Sequence, residues 1–228
     1  MTETSTHTHK YLIILCMLNL TFMLCTGVLT HRFVEINHYW FTQGGTLIIP
    51  LWFITADLIA EIYGYTISKQ LIWSGFICQL IFAYACNIII NLPYPNFWHD
   101  APSYKIVLGS LTHTTISALL SYLIAGFLNI YFINKWKIML KGKYFWIRSI
   151  GASAISEALF TFMAVFLIQF GKLPLDSMLK IAVVSYSLKL FYSIIFATPV
   201  NMIANYLKRV EKVEPYDYSL KFNPFKVS

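Results

Sequence analysis

The sequence predicts an all-α membrane protein, a bundle of six transmembrane helices with both termini in the cytoplasm. Of its 228 residues, 57% are hydrophobic and 12% are charged, whereas a soluble domain carries roughly a quarter of charged residues. Six apolar stretches are each long enough to cross about 30 Å of hydrocarbon. Lysine and arginine are concentrated in alternate connecting segments, which sets the orientation of the bundle.

The six predicted helices are separated by connecting segments. Their limits are residues 11–29, 46–65, 71–92, 106–133, 149–170 and 181–207. A short turn at Ser68 and Lys69 is predicted to separate the second helix from the third. The fourth and sixth stretches exceed the length needed to span, so we expect them to tilt or to project from the membrane. We therefore expect one transmembrane domain over residues 1–210 and a short cytoplasmic tail over 211–228.

Positive charge separates the two sides of the predicted bundle. With the N-terminus inside, twelve lysines and arginines fall on the cytoplasmic side and four on the other. The twelve are Lys10, Lys69, Lys135, Lys137, Lys141, Lys143, Arg148, Lys208, Arg209, Lys212, Lys221 and Lys226, and the four are Arg32, Lys105, Lys172 and Lys180. Because these charges lie between apolar segments, the net charge of +7 indicates topology, and we expect no nucleic-acid partner.

Two carboxylates stand out in the second stretch. Asp57 and Glu61 are four residues apart, which places them on one face of a helix. Ionisable groups at bilayer depth are costly and usually face a bundle interior or a substrate path. Two interpretations remain: the pair recognises a substrate or a cation, or it forms ion pairs that join helices.

The sixth stretch carries one lysine at depth. Lys189 lies about a third of the way along it, with Tyr186 close by. A lysine at this depth needs a counter-charge or backbone carbonyls. Asp57, Glu61 or Glu157 is the expected partner, and a structural salt bridge is as compatible with the pattern as direct ligand contact.

The fourth and fifth stretches add further candidates. Glu157 is a lone carboxylate on a polar face of the fifth that also includes Ser153. His113 on the fourth could titrate or donate a hydrogen bond to a ligand, although a structural histidine fits equally well. No nucleophile–base arrangement and no H-E-x-x-H motif occurs in the sequence, so we expect neither an enzyme nor a bound metal or cofactor.

Two segments resemble the queuosine precursor transporters, also called the vitamin uptake transporter or YhhQ-like family. The run PLWFITADLIAEIYGY, followed by Lys69, carries the Asp, the Glu four residues later and the Tyr-Gly-Tyr of the family's second helix. The run SYSLKLFYSIIFATPV carries a lysine and a proline ten residues later, Lys189 and Pro199. The chain departs from the family at His113, where an arginine is common, and at Phe160, where an aspartate is common.

The resemblance implies both a fold and a ligand. The family is similar to the substrate-binding subunits of energy-coupling factor transporters, which implies six helices and a pocket toward the outer side. The implied substrates are 7-cyano-7-deazaguanine and 7-aminomethyl-7-deazaguanine. Adjacent N–H donors on a guanine-like edge suit a carboxylate acceptor, and a flat ring stacks on aromatic side chains. The predicted substrate-binding residues are Glu157, Asp57, Lys189, His113, Glu61, Ser153 and Tyr186.

The leading hypothesis is therefore an importer of these bases in the bacterial inner membrane, with the lipid bilayer and the base as its partners. The alternative is a substrate-binding subunit for another vitamin or nucleobase that works with an ATPase module. Oligomerisation, coupling subunits and the energy source stay open at this stage. An intramembrane enzyme is the least favoured hypothesis, because no catalytic motif supports it.

Overall fold

The computed structural model describes residues 9–95, 97 and 99–211, and the predicted tail beyond Glu211 lies outside them. Five stretches of helix in this part of the chain are long and apolar enough to cross a bilayer, which confirms an all-α membrane protein. The elements are α1 (Leu12–Leu29), β1 (Phe33–Asn37), β2 (Trp40–Gln43), a 3-10 turn (Gly44–Leu47), α2 (Ile49–Ile90), α3 (Ala101–Leu108), α4 (Leu111–Met139), α5 (Phe145–Gln169) and α6 (Leu175–Glu211).

Helix α2 is interrupted at Gly64, which has φ 82° and ψ −175°. Only glycine adopts this conformation readily, and it divides α2 into a first segment, 49–63, and a second segment, 65–90. Trp52 of the first segment and Ile72 of the second line one small cavity, which indicates that the two segments lie side by side. The turn predicted at Ser68 and Lys69 is wrong, since both residues are helical and the chain bends one turn earlier.

The helices pack around an aromatic core. Helix α4 contacts both α2 and α5, while α1 covers α2 and α6 covers α5. A glycine at position 126 lets α4 approach α2 closely, since a Cβ there would lie 3.3 Å from Ile72 Cδ1. Large apolar side chains such as Ile13, Ile81 and Ile194 are exposed on the outside of the bundle, as expected for surfaces that face lipid.

A short antiparallel hairpin, β1–β2, covers one end of the bundle and was not predicted from the sequence. It follows the end of α1 and leads through the 3-10 turn into α2. Thr42 on β2 is fully buried, and its hydroxyl lies 2.8 Å from that of Ser185 on α6. The hairpin is therefore attached to the bundle by buried hydrogen bonds, and it carries Gln43 into the interior.

Candidate functional site

A cavity lies inside the bundle at the end that carries the hairpin. Its empty volume, which includes space open to solvent, is about 640 Å³. It is lined by Met23, Thr26, Gly27, Thr30, Gln43, Thr46, Ile49, Trp52, Gln79, Thr114, Thr115, Ala118, Leu119, Tyr122, Phe160, Thr161, Ala164, Val165, Ile168, Ser185 and Lys189.

Three aromatic rings form one wall of this cavity. Trp52 on α2 lies 4.7 Å from Tyr122 on α4 and 6.1 Å from Phe160 on α5, measured between ring centroids. The rings come from three different helices, so the wall exists only in the assembled bundle. Such surfaces bind flat heterocycles by stacking, which supplies apolar contact with a defined geometry.

Polar atoms without protein partners also line the cavity. Among the described residues, Gln43 Nε2, Gln79 Oε1 and the hydroxyl oxygens of Thr114 and Thr115 are buried and accept or donate no hydrogen bond. Buried polar groups are nearly always hydrogen-bonded. We therefore interpret these atoms as groups positioned for a ligand or its hydration water. Together they offer both donors and acceptors around the aromatic wall.

Lys189 supplies the positive charge at the cavity wall. Its Nζ donates a 2.6 Å hydrogen bond to Thr161 Oγ1 and lies 4.7 Å from the centroid of the Phe160 ring. The side chain is 1% exposed. Both contacts are to residues that also line the cavity, so the ammonium group is held at its surface by a hydroxyl and an aromatic face.

Glu157 lies four residues before Thr161 on α5 and is also 1% exposed. Neither of its carboxylate oxygens has a hydrogen-bond partner among the described residues. It interacts electrostatically with Lys189 and Asp57. Glu157 lines a smaller cavity together with Asp57 and does not line the large one.

Asp57 is the centre of a hydrogen-bond network that joins three helices. It accepts bonds from Asn129 Nδ2 on α4 at 2.5 Å, and from Ser149 Oγ and Ser153 Oγ on α5 at 2.5 and 3.1 Å. Ser156 extends the network by donating to Asn129 Oδ1 at 3.0 Å. Both oxygens of Asp57 are thus occupied, and the geometry is that of a structural connection between α2, α4 and α5.

Glu61 forms a buried ion pair with Arg148. The guanidinium group donates to both carboxylate oxygens, at 2.8 and 2.9 Å, and both side chains are fully buried. Lys208 Nζ on α6 also donates to the carboxylate, and Lys137 Nζ on α4 donates to the Glu61 backbone carbonyl at 2.7 Å. We call these four residues the Glu61 cluster; it lies where α4 ends and α5 begins.

Arg148 also satisfies backbone carbonyls around this cluster. It donates to the carbonyls of Lys143, Ile133 and Gly142 at 3.1, 3.3 and 3.3 Å. The sequence indicates only a topological role for the three basic residues of the cluster, whereas the structure brings all three into contact with Glu61. The structural interpretation of Glu61, an ion pair that joins helices, describes the observed geometry.

Of the seven site residues predicted from the sequence, Lys189 lines the large cavity. Glu157, Asp57 and Ser153 lie in the neighbouring smaller cavity. Tyr186 donates to the Ala154 carbonyl at 3.1 Å and joins α6 to α5. His113 is exposed on α4 and does not line the cavity.

Sequence reasoning missed the two glutamines of the cavity. Gln79 is one of four polar residues inside the third predicted helix, with Ser74, Asn87 and Asn91, and it lies nearest the middle of that stretch, which is the one signal that could have drawn attention to it. Gln43 lies before the second predicted helix, in a segment that carries no helical pattern. Only the hairpin, which the sequence did not predict, brings Gln43 to the cavity.

Comparison with known proteins places this chain among transporters. The family model described as "Putative vitamin uptake transporter" matches residues 43–204. A relative from Bacillus subtilis (strain 168), "Probable queuosine precursor transporter", is 22% identical over 172 residues, 75% of each chain. "Queuosine precursor transporter" from Escherichia coli (strain K12) is 22% identical over 169 residues, 69% of this chain and 70% of the relative. No solved structure matches the chain significantly.

Proposed function

Because the chain belongs to the vitamin uptake transporter family, we propose that it imports queuosine precursors across a bacterial inner membrane. The family assignment and the apolar helices identify a multi-pass membrane transporter, as expected from the second-helix and sixth-helix motifs. The proposed substrates are the 7-deazaguanine bases, with either a cyano or an aminomethyl group at position 7. Both relatives are named for queuosine precursors, which supports this substrate class.

The observation that carries the proposal is the combination of aromatic and amide groups in the large cavity. A 7-deazaguanine is flat, which suits the wall formed by Trp52, Tyr122 and Phe160. Its guanine-like edge offers adjacent N–H donors beside a carbonyl acceptor. The unpartnered amide oxygen of Gln79 and amide nitrogen of Gln43 are complementary to such an edge.

The proposed importer has six transmembrane helices. The two segments of α2 would each cross the membrane, since they lie side by side on either side of Gly64. Together with α1, α4, α5 and α6 they make six spans, and an even number leaves both termini on one side. The Glu61 cluster collects positive charge at the end opposite the hairpin, and positive charge favours the cytoplasmic side. The cavity would then face outward.

The predicted site residues divide between two roles in this proposal. Lys189 contacts the substrate at the cavity wall and interacts electrostatically with Glu157, a buried carboxylate that has no hydrogen-bond partner among the described residues. Asp57, Ser153 and Glu61 hold helices together through the bonds that occupy them. In this proposal the amides of the cavity bind the edge of the base, in place of the carboxylates predicted from the sequence.

Uptake complementation tests the proposal. A strain that cannot make queuosine and lacks its own importer would express this chain, each precursor would be supplied, and queuosine in tRNA would be measured. We expect rescue by the unchanged chain. Failure of rescue, with the protein shown to be in the membrane, would contradict the proposed function.

Two glutamines on the second segment of α2 provide a matched pair of variants for this assay. Gln79→Leu removes an amide from the cavity, whereas Gln70→Leu changes an exposed residue of the same segment. The Gln79→Leu variant should take up the base about tenfold less efficiently, or less still, because it loses a buried hydrogen bond to the ligand. Gln70→Leu should retain normal uptake, and equal uptake by the two variants would remove Gln79 from the site.

A further inference from the structure

We propose that this site selects neutral precursors over cationic ones and that Lys189 makes the selection, an inference that rests on the proposed function. The base with a cyano group is neutral, and the base with an aminomethyl group carries a primary ammonium near neutral pH. The two molecules have the same ring system and differ mainly in that substituent. Charged groups of the cavity therefore interact differently with the two bases.

The charge on the cavity wall is positive. Among the described residues that line it, Lys189 is the charged one, and no carboxylate takes part. The other polar lining groups are hydroxyls and amides, which are neutral. An incoming ligand therefore meets the ammonium group at the wall, whereas Glu157, which interacts electrostatically with Lys189, does not line the cavity.

The ammonium group of Lys189 is also directed at the cavity by its contacts. Its hydrogen-bond partner Thr161 and its ring partner Phe160 both line the same space. An ammonium has three N–H donors, and the described residues provide a hydrogen-bond acceptor for one of them. The remaining donors suit an acceptor on the ligand, such as a nitrile nitrogen or a ring carbonyl oxygen.

The carboxylates that could attract a cation are placed elsewhere. Asp57 accepts three hydrogen bonds, and Glu61 is bound by Arg148 and Lys208. The oxygens of Glu157 have no hydrogen-bond partner in the part of the chain that the structure describes, but Glu157 lines the smaller cavity. Its charge weakens the field of Lys189 without placing a negative group at the ligand.

These positions give an expected size for the selectivity. Two positive charges a few ångströms apart inside a protein repel each other by an energy that corresponds to a factor of ten or more in affinity, even at an effective dielectric constant of about 20. Partial compensation by Glu157 reduces the repulsion toward the lower end of this range. We expect the ratio of uptake efficiencies, cyano over aminomethyl, to be at least about tenfold.

Direct uptake of the two labelled bases by cells or proteoliposomes containing the chain tests the inference. The N-acetylated aminomethyl base serves as a third substrate, because acetylation removes the charge and keeps the attachment point. We expect efficient uptake of the cyano base, weak uptake of the aminomethyl base and stronger uptake of its acetylated form. Equal uptake of the first two, or preference for the cation, would overturn the inference and leave the proposed function standing. Uptake of none of them would contradict the proposed function itself.

Variants of two lysines on α6 then assign the effect to a residue. Lys189→Met removes the charge at the cavity and should bring the ratio close to one, while Lys189→Arg keeps the charge and should keep a ratio above one. Lys180→Met is the matched control, because Lys180 is 45% exposed, pairs with Asp176 and lies away from the cavity. A tenfold ratio that persisted in Lys189→Met would show that Lys189 does not make the selection.

Discussion

Replacing Arg148 by methionine should lower the free energy of unfolding by about 3–5 kcal/mol. Arg148 and Glu61 are both fully buried, and their two hydrogen bonds of 2.8 and 2.9 Å form a bidentate pair. Breaking a buried pair by removing one partner is costly, because the remaining charge loses its compensation. Methionine keeps much of the side-chain volume, so the change tests charge and hydrogen bonding more than packing.

The structure modifies this magnitude in two opposite ways. Lys208 also contacts the Glu61 carboxylate and would remain after the substitution, which reduces the loss. Arg148 in addition satisfies three backbone carbonyls of α4 and of the turn before α5, and these would lose a donor. Each buried group left without a partner costs about 1–3 kcal/mol, which acts against the reduction due to Lys208.

Thermal unfolding of the purified protein in detergent measures the effect. We expect the midpoint to fall by on the order of 10 °C for Arg148→Met, using the usual relation between free energy and Tm for a chain of this size. Arg148→Lys should lie between this variant and the unchanged chain, because lysine keeps the charge but not the planar fork. Arg209→Met is the control. Arg209 is an exposed arginine on α6, next to Lys208 of the Glu61 cluster, and its loss should shift the midpoint little.

Equal midpoints for Arg148→Met and Arg209→Met would refute this reasoning. Such a result would mean that Lys208 and Lys137 can neutralise Glu61 without the guanidinium group. It would also mean that water or other donors satisfy the three carbonyls. The Glu61 cluster would then be a set of redundant contacts and not a single connection that depends on Arg148.

Three further results are expected. Gly64→Ala should destabilise the protein by about 1–3 kcal/mol, because alanine is strained at this φ and ψ; an unchanged midpoint would contradict the observed backbone. Asp57→Asn should cost about 1–3 kcal/mol, since an amide cannot accept from Asn129 and both serines together; a double-mutant cycle with Asn129 measures the coupling. Burial and the charge of Lys172 lower the pKa of His31 below 6.5, so the unfolded chain binds the proton more tightly. The free energy of unfolding should therefore decrease as the pH falls below 6.5. In a pH series of melting curves, the His31→Gln variant should show a smaller decrease.

The positions of the helices could be predicted because long apolar runs have one viable structure in lipid, the α-helix. The bend at Gly64 could not be located from the sequence. A polar Ser-Lys pair is typical of a turn, and composition does not indicate which residue adopts an unusual backbone torsion. The β-hairpin was not predicted for a related reason. Its strands are short, and the hydrogen bonds of Thr42 that hold it in place depend on a residue of α6 far along the chain.

The candidate site was predicted less completely than the fold. The buried carboxylates and Lys189 were found because charge in an apolar stretch is conspicuous. Their partners were not, because the ion pair of Glu61 with Arg148 joins residues that only the packed bundle brings together. Gln79 was overlooked because an amide in a transmembrane helix is also compatible with ordinary packing. The assignment of ligand contacts within the predicted set stays a prediction.

The Glu61 cluster has a consequence for the transport cycle in the proposed orientation. It joins α2, α4, α5 and α6 at the cytoplasmic end, whereas the cavity lies at the other end. A base bound in the cavity would reach the cytoplasm only after some of these contacts separate. The bonds that stabilise the protein would then also set the rate of substrate release. We expect variants that loosen the cluster to exchange thermal stability for faster turnover, until the bundle no longer holds together.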